Sequence, residues 1–276
     1  MDVQRGELSG EMTWYAVGSG PPLVVFPGMS RRSEPPTPMG SARAARSFGR
    51  LARLTGRTVV EINRPRGMAK TITMPELAAM HAAAIRERFS DPVDILGVST
   101  GGAIALQLAV DHPKVVRTLV IACAAAWLGH EGREKLRRLG ELERDGRSGA
   151  MILASVLFGP VLRVPMGLLM RLSEWRKDRE DCSDMLATIH AECGFDVRPL
   201  LGDIRARTLI IGGERDYAFP PTLLRETAAG IPGATLVLYS RRGHIGAMLD
   251  PRFGRDVAAF LRGGDAQCST APPSGA

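Results

Sequence analysis

The 276-residue chain is 45% apolar and 24% charged, with 36 Lys+Arg against 29 Asp+Glu and a net charge of +7. That composition excludes a disordered, collagenous or coiled-coil protein, and the length suggests one domain with an insertion or two small domains. The start, MDVQRGELSG, has no apolar stretch behind a basic segment, and the apolar, charge-free stretch Ser148–Leu162 is 15 residues interrupted by Gly159 and Pro160, so neither a secretory signal nor a membrane span of about 20 residues is expected.

In chain order, short β-branched runs alternate with longer helical patterns, the signature of an α/β protein with a mostly parallel sheet flanked by helices. The predicted strands are 12–17, 23–26, 58–62, 93–97, 118–122, 208–211 and 235–239. Those from the second to the sixth are short and mostly apolar, as strands covered on both faces should be. Helical spacing of apolar residues marks 42–54, 75–89, 101–111, 221–229 and 252–261. Pro75 suits a first helical turn, with Thr73 or Met74 just outside it. Between Trp127 and Pro199 the rhythm breaks: helical patterns near 132–145, 148–157, 166–177 and 182–193 follow one another without a strand, punctuated by Gly159, Pro160 and Pro165. The expected organisation is a core of residues 1–126 and 200–262, a helical cap or lid of 127–199, and a disordered polar tail of 263–276.

Cysteine usage and charge placement narrow the function classes. Cys123, Cys182, Cys193 and Cys268 form no Cys-x-x-Cys and no metal spacing with histidine, so free thiols in a cytoplasmic protein are expected and no metal site. From Arg31 to Arg66 nine arginines meet Glu34 and Glu61, a local +7 that leaves the rest of the chain neutral. Only Phe48 is aromatic in that segment, which argues against a nucleic-acid face. A solvated helix face is one reading; attraction of an anionic carrier, coenzyme A or an acyl carrier, is the other.

Gly97-Val98-Ser99-Thr100-Gly101 follows the apolar strand Val93-Asp94-Ile95-Leu96 and opens a helical run. A serine on so tight a strand-to-helix turn sits in a strained conformation, and flanking glycines remove collisions. The helix behind it aims N–H groups at the turn, an environment for an oxyanion. A serine hydroxyl needs a base, and histidine titrates in the right range for both uptake and release of a proton. Of five histidines, only His244 lies just beyond a late strand. Structural or solvent roles are expected for His81, His112, His130 and His190.

With these motifs the chain, from about Leu8 to Leu261, resembles the α/β-hydrolase family, whose triad runs in the order nucleophile, acid, base. Gly213-Glu214-Arg215-Asp216 is similar to the family's acid loop and Gly243-His244-Ile245 to its histidine loop. The resemblance implies Ser99, Asp216 and His244 as catalytic residues, although Glu214 and Asp203 are nearby carboxylates. It also implies an oxyanion hole from the N–H of Thr100 and one from the loop after the strand ending at Phe26. There relatives usually carry His-Gly, whereas this chain reads Pro27-Gly28-Met29-Ser30, so Met29 is the second donor by position and Gly28 borders the substrate. Proline lacks the hydrogen bonds histidine would use to brace that loop. A second departure, Asn63-Arg64-Pro65-Arg66-Gly67, reads as a structural turn, and the loop from Met29 to about Gly40, with Pro35, Pro36 and Pro38, as a shaper of substrate access.

In the insertion, Met151, Leu153, Leu157, Phe158, Met166, Leu169, Met170 and Trp175 offer apolar surface. Helix packing explains such residues in general; Met151, Phe158 and Met170 are expected to line the substrate pocket. The resulting expectation is a serine hydrolase acting on a carboxylic ester or thioester of a hydrophobic small molecule through an acyl-enzyme. Acyl transfer, cyclisation or C–C cleavage at the same site, or a non-catalytic small-molecule receptor, remain as alternatives. No P-loop or dinucleotide fingerprint is present, and the chemistry requires no cofactor.

Overall fold

Eight strands form one sheet in the computed structural model, which describes residues 3–31, 48–175 and 182–269. They are β1 (Val3–Leu8), β2 (Met12–Val17), β3 (Pro22–Phe26), β4 (Thr58–Ile62), β5 (Val93–Val98), β6 (Val116–Ala122), β7 (Arg207–Gly213) and β8 (Thr235–Tyr239). Their order across the sheet is β1-β2-β4-β3-β5-β6-β7-β8. β1 and β2 run antiparallel to their neighbours and every later pair is parallel. The central strands are apolar on both faces because both are covered. In β3, Val24 and Phe26 join one core while Leu23 and Val25 join the other, as the two-residue period of a strand dictates.

The helices are α1 (48–55 in its described part), α2 (Met74–Arg88), α3 (Thr100–Asp111), α4 (Gly129–Arg144), α5 (Ala150–Leu157), α6 (Pro160–Trp175), α7 (Ser183–Cys193), α8 (Pro221–Gly230), α9 (His244–Met248) and α10 (Phe253–Ser269). α2 starts as anticipated: Thr73 caps it in a reciprocal capping box with Glu76, and Pro75 sits in the first turn. α3 is apolar all round and buried over almost its whole length, wedged between the sheet and α2.

Three sequence expectations are corrected. β1 (VQRGEL) was not expected, because an edge strand with exposed polar side chains has no apolar alternation; backbone pairing to β2 alone defines it. Helix α6 starts at Pro160 and runs through Pro165, where a break was expected. Pro165 lies in the second turn of an exposed helix, where the carbonyl it leaves without a helical partner can be hydrated. Finally, α10 continues past Gly263 to Ser269 instead of giving way to a tail. The buried Val257 and Leu261 anchor the helix, and propagation from a docked turn tolerates glycines that each cost about 1 kcal/mol. Residues 270–276 lie outside the described residues, as does most of the proline-bearing loop up to Gly40.

The insertion leaves the sheet after β6 and returns before β7. A backbone bridge between Trp127 and Asp196, with Val197 N–H donating to Ala126 O at 2.9 Å, pinches its two ends together. Its four helices, α4–α7, pack on each other and on the main core.

At the opposite end of the sheet, Asp94 is fully buried at the start of β5. It accepts from Arg117 Nε at 2.8 Å and Thr118 Oγ1 at 2.6 Å, and lies 3.1 Å from Arg57 Nε. Removing one partner of a buried ion pair strands the others, at a cost of about 3–5 kcal/mol. Asp94→Ala is therefore expected to lower the urea midpoint steeply at unchanged m-value. A loss below about 1 kcal/mol would show that Arg57 and Arg117 rehydrate freely.

Candidate active site

Ser99 stands between β5 and α3 with φ 53° and ψ −122°, a conformation that costs a non-glycine residue about 1–3 kcal/mol. The surroundings hold it there: Ser99 N–H donates to Ala122 O at 2.9 Å, and Ser99 O accepts from Gly102 N at 2.7 Å. Gly101 allows α3 to approach the end of β3, since a Cβ there would lie 2.1 Å from Phe26 O. The same approach brings the loop after β3 over the serine, with the position of a Cβ on Gly28 only 3.4 Å from Ser99 Cβ. Glycines 97 and 101 are thus needed for close packing, as the sequence suggested.

His244 opens α9 just after β8, and Asp216 lies in the loop after β7; both sites are at the same sheet edge as Ser99 because β5, β7 and β8 are parallel. Ser99 Oγ is 3.1 Å from His244 Nε2, and His244 Nδ1 is 2.9 Å from Asp216 Oδ2. A carboxylate only accepts, so Nδ1 carries the proton and Nε2 presents its lone pair to the serine hydroxyl. Asp216 Oδ1 accepts from Ala218 N at 2.8 Å and Phe219 N at 3.0 Å. His244 and Asp216 are 1% and 3% exposed, and the Phe219 ring stacks on the imidazole. The alternative carboxylates, Glu214 and Asp203, are exposed. This row of a part-exposed hydroxyl, a buried imidazole and a buried carboxylate can move a proton off Ser99 while keeping the resulting imidazolium next to a negative charge.

Cys123 completes the back of the row. It has φ 52° at the end of β6, and its thiol donates to His244 O at 3.3 Å. Burial, together with the Asp216 charge, pushes this thiol well up, so it stays protonated. Its sulfur, a ring nitrogen of His244 and an oxygen of Asp216 lie within 4.8 Å of one another. A protonated thiol and a carboxylate already accepting from three N–H groups make a poor set of metal donors.

The loop holding Gly28 and Met29 is braced from beneath. Arg64 Nη1 donates to both Pro27 O and Gly28 O at 3.1 Å, and Nη2 to Ser30 Oγ at 2.9 Å. Arg64 was expected in a structural turn; instead its buried side chain reaches the loop that proline leaves without a histidine brace. On the other side of Ser99, Thr100 Oγ1 donates to Glu192 Oε2 at 2.9 Å. Glu192 comes from α7 of the insertion and is 2% exposed. Burial pushes its carboxyl up to about 7, against the opposing pull of Thr100, Arg64 and His244. Sequence reasoning missed Glu192; the available signal was Asp184, Thr188 and Glu192 at four-residue spacing along one face of a helix.

The remaining expected site residues are more scattered. Met151 is exposed on α5 and lies where a Cβ on Gly167 would meet its sulfur, so it packs on α6. Phe158 ends α5 half-buried, beside Gly159, which approaches Tyr217 of the acid loop; Met170 is half-buried on α6. His81 is structural as expected: buried edge-on against Phe26, it is held down to about 4 by desolvation. The basic segment is not one docking face. Arg57 and Arg64 are buried inside, Arg31 pairs with Glu143, and Arg66 pairs with Glu7 and Glu11. Arg50 and Arg53 are exposed on α1, while Arg32, Arg43 and Arg46 lie outside the described residues.

A mostly parallel eight-stranded sheet bearing a serine on a strained strand–helix turn has the architecture of an α/β hydrolase. The family model described as the alpha/beta hydrolase family matches residues 23–258, and the chain belongs to that family. It is similar to the "Putative carbamate hydrolase RutD" of Rhizobium rhizogenes strain K84, 27% identical over 177 residues that cover 62% of this chain and 68% of that protein. It is also similar to the pimeloyl-(acyl-carrier protein) methyl ester esterase of Neisseria meningitidis serogroup C, 30% identical over 173 residues covering 59% and 66%. The crystal structure of the enol-lactonase from Burkholderia xenovorans LB400 superposes with a TM-score of 0.74 at 18% identity, covering 94% of this chain and 100% of that one. No helix among the described residues is long and apolar enough to cross a membrane.

Proposed function

We propose that the protein is a serine hydrolase that cleaves a carboxylic ester or thioester of a hydrophobic small molecule through an acyl-enzyme. The observation that carries this reading is the continuous hydrogen-bonded row from Ser99 through His244 to Asp216. Ser99 Oγ attacks the acyl carbon while His244 Nε2 takes its proton, and Asp216 stabilises the imidazolium. The N–H groups of Thr100, at the start of α3, and of Met29 receive the oxyanion. His244 then protonates the leaving group, and next deprotonates the water that frees the acid and restores Ser99. All of these steps use groups of the chain itself.

The helical insertion serves as the cap that supplies the apolar wall. Phe158 is its candidate beside the acid loop, with Met151 and Met170 further along α5 and α6, and Gly28, against Ser99, borders the substrate. Phe158→Ala is expected to raise KM for p-nitrophenyl octanoate roughly tenfold while leaving the acetate ester within about twofold. Equal effects on both esters would place Phe158 away from the acyl chain. An acyl carrier or coenzyme A as leaving group fits the exposed Arg50 and Arg53, and the name of the Neisseria relative is of that kind. The direct test is labelling by a fluorophosphonate, with the mass shift mapped to the peptide containing Ser99. Modification elsewhere, or none, overturns the reading.

A further inference from the structure

The most unusual polar groups outside the serine–histidine–aspartate row are two buried ionisable side chains that approach Ser99 from its two sides. Arg64, in the loop just after β4, is 2% exposed, and Glu192, on α7 of the insertion, is equally buried. Neither side chain is needed to relay a proton. A buried guanidinium and carboxyl are expensive unless they satisfy other groups, and both do so at the two sides of Ser99. Arg64 donates to the carbonyls of Pro27 and Gly28 and to Ser30 Oγ. Those carbonyls are the backs of the peptides leading into Gly28 and Met29, so fixing them fixes where the Met29 N–H points. Glu192 accepts from Thr100 Oγ1, on the residue whose N–H is the other donor.

The same helix face also ties α7 to the start of α3 and to the loop after β4. Asp184, two turns before Glu192 on the same helix face, accepts from Met68 N at 2.9 Å, and Thr188 lies buried between them. Asp184, Glu61 and Glu192 all act on the Arg64 charge, raising its affinity for a proton against the desolvation that lowers it. One polar seam therefore runs from the insertion, past Arg64, to both peptides that flank the serine.

We propose that Arg64 and Glu192 are positioning residues of the oxyanion hole, Arg64 aiming the Met29 N–H and Glu192 holding Thr100. The proposal rests on Ser99 being the nucleophile. Arg64 takes over the brace that proline at position 27 cannot provide. Glu192, being part of the insertion, makes the shape of the hole depend on how α7 is seated.

A fluorophosphonate reads this in one experiment, because its phosphoryl oxygen occupies the hole as Ser99 attacks. The final extent of labelling counts folded, competent sites; the maximal rate constant reports transition-state stabilisation; the half-saturating concentration reports binding. For Arg64→Met the expected result is a roughly 100-fold lower maximal rate constant, the half-saturating concentration within about threefold, and full final labelling, since a misplacement near 1 Å costs about that much. A residue that only supports the fold lowers the final extent and leaves the rate constant per labelled site untouched, and that result overturns the proposal. Should Arg64→Met not fold, Glu192 decides: Glu192→Ala slows labelling roughly tenfold, and Glu192→Gln, which keeps an acceptor for Thr100, recovers most of that loss. Equal rates for wild type and Glu192→Ala overturn the proposal. A wild-type protein that takes up no label at Ser99 removes the nucleophile reading itself, an outcome distinct from a labelled wild type with unaffected variants.

Discussion

Ser99→Ala is expected to lower turnover about a millionfold with binding of the ester nearly unchanged, because in the proposed mechanism the hydroxyl, imidazole and carboxylate act as a unit and lose their effect together. His244 and Asp216 keep their mutual bond in this variant, so what disappears is the nucleophile and not the site. A residual acceleration of about 10³–10⁴ over water is expected from the oxyanion donors and from binding alone. Stability separates the variant from a general disruption. Alanine keeps the φ of 53°, so the strain stays and the fold loses only the hydroxyl contact to Nε2. Ser99→Gly adopts that φ at ease and is expected to melt above Ser99→Ala if relief of about 1 kcal/mol outweighs the freedom glycine gains when unfolded. The measurements are steady-state turnover of a p-nitrophenyl ester, intact mass for acyl-enzyme after rapid quenching, and thermal melting of both variants. Turnover within tenfold of wild type for Ser99→Ala, or an acyl adduct that persists in it, would remove covalent catalysis at this residue.

What could be read in the sequence and what could not divides along a physical line. β3, β5, β6 and β7 were legible because strands covered on both faces are short, mostly apolar runs. Ser99 and His244 were legible because their backbone setting leaves local marks, a glycine pair at a strained turn and a glycine-histidine step after a strand. Arg64, Asp94 and Glu192 leave no such mark. Each is a charged residue in a chain with 65 of them, and only tertiary approach turns it from a solvated side chain into a buried brace. Arg57 and Arg64 illustrate the cost of counting charge along the chain: the segment is strongly basic, yet these two arginines balance buried Asp94 and brace the loop after β3 instead of meeting solvent. β1 is the converse case, structure written in backbone pairing that side-chain pattern does not record.

For Asp216→Asn a loss of about 10⁴ in kcat is expected with little loss of fold. The two oxygens of Asp216 have different tasks. Oδ1 accepts two backbone N–H groups, from Ala218 and Phe219, and shapes the acid loop; Oδ2 accepts the Nδ1–H of His244. An asparagine satisfies the first task only by directing its carbonyl oxygen at Ala218 and Phe219, which turns its NH2 toward His244. The reverse orientation would set that NH2 against two N–H donors in a buried site, so the first orientation prevails. The NH2 then donates to Nδ1, the ring proton moves to Nε2, and Nε2 faces the Ser99 hydroxyl as a donor where a base is required. Asp216→Ala, by contrast, also strands the N–H groups of Ala218 and Phe219 and is expected to be both inactive and less stable. Steady-state kinetics and melting of the two variants, with ¹⁵N shifts of the His244 ring nitrogens to read the tautomer, separate these effects. Retention of kcat within tenfold in Asp216→Asn, or an imidazole still protonated at Nδ1, would mean that this carboxylate neither orients nor charges the base, and the proton relay assigned to the row would fail at its last member.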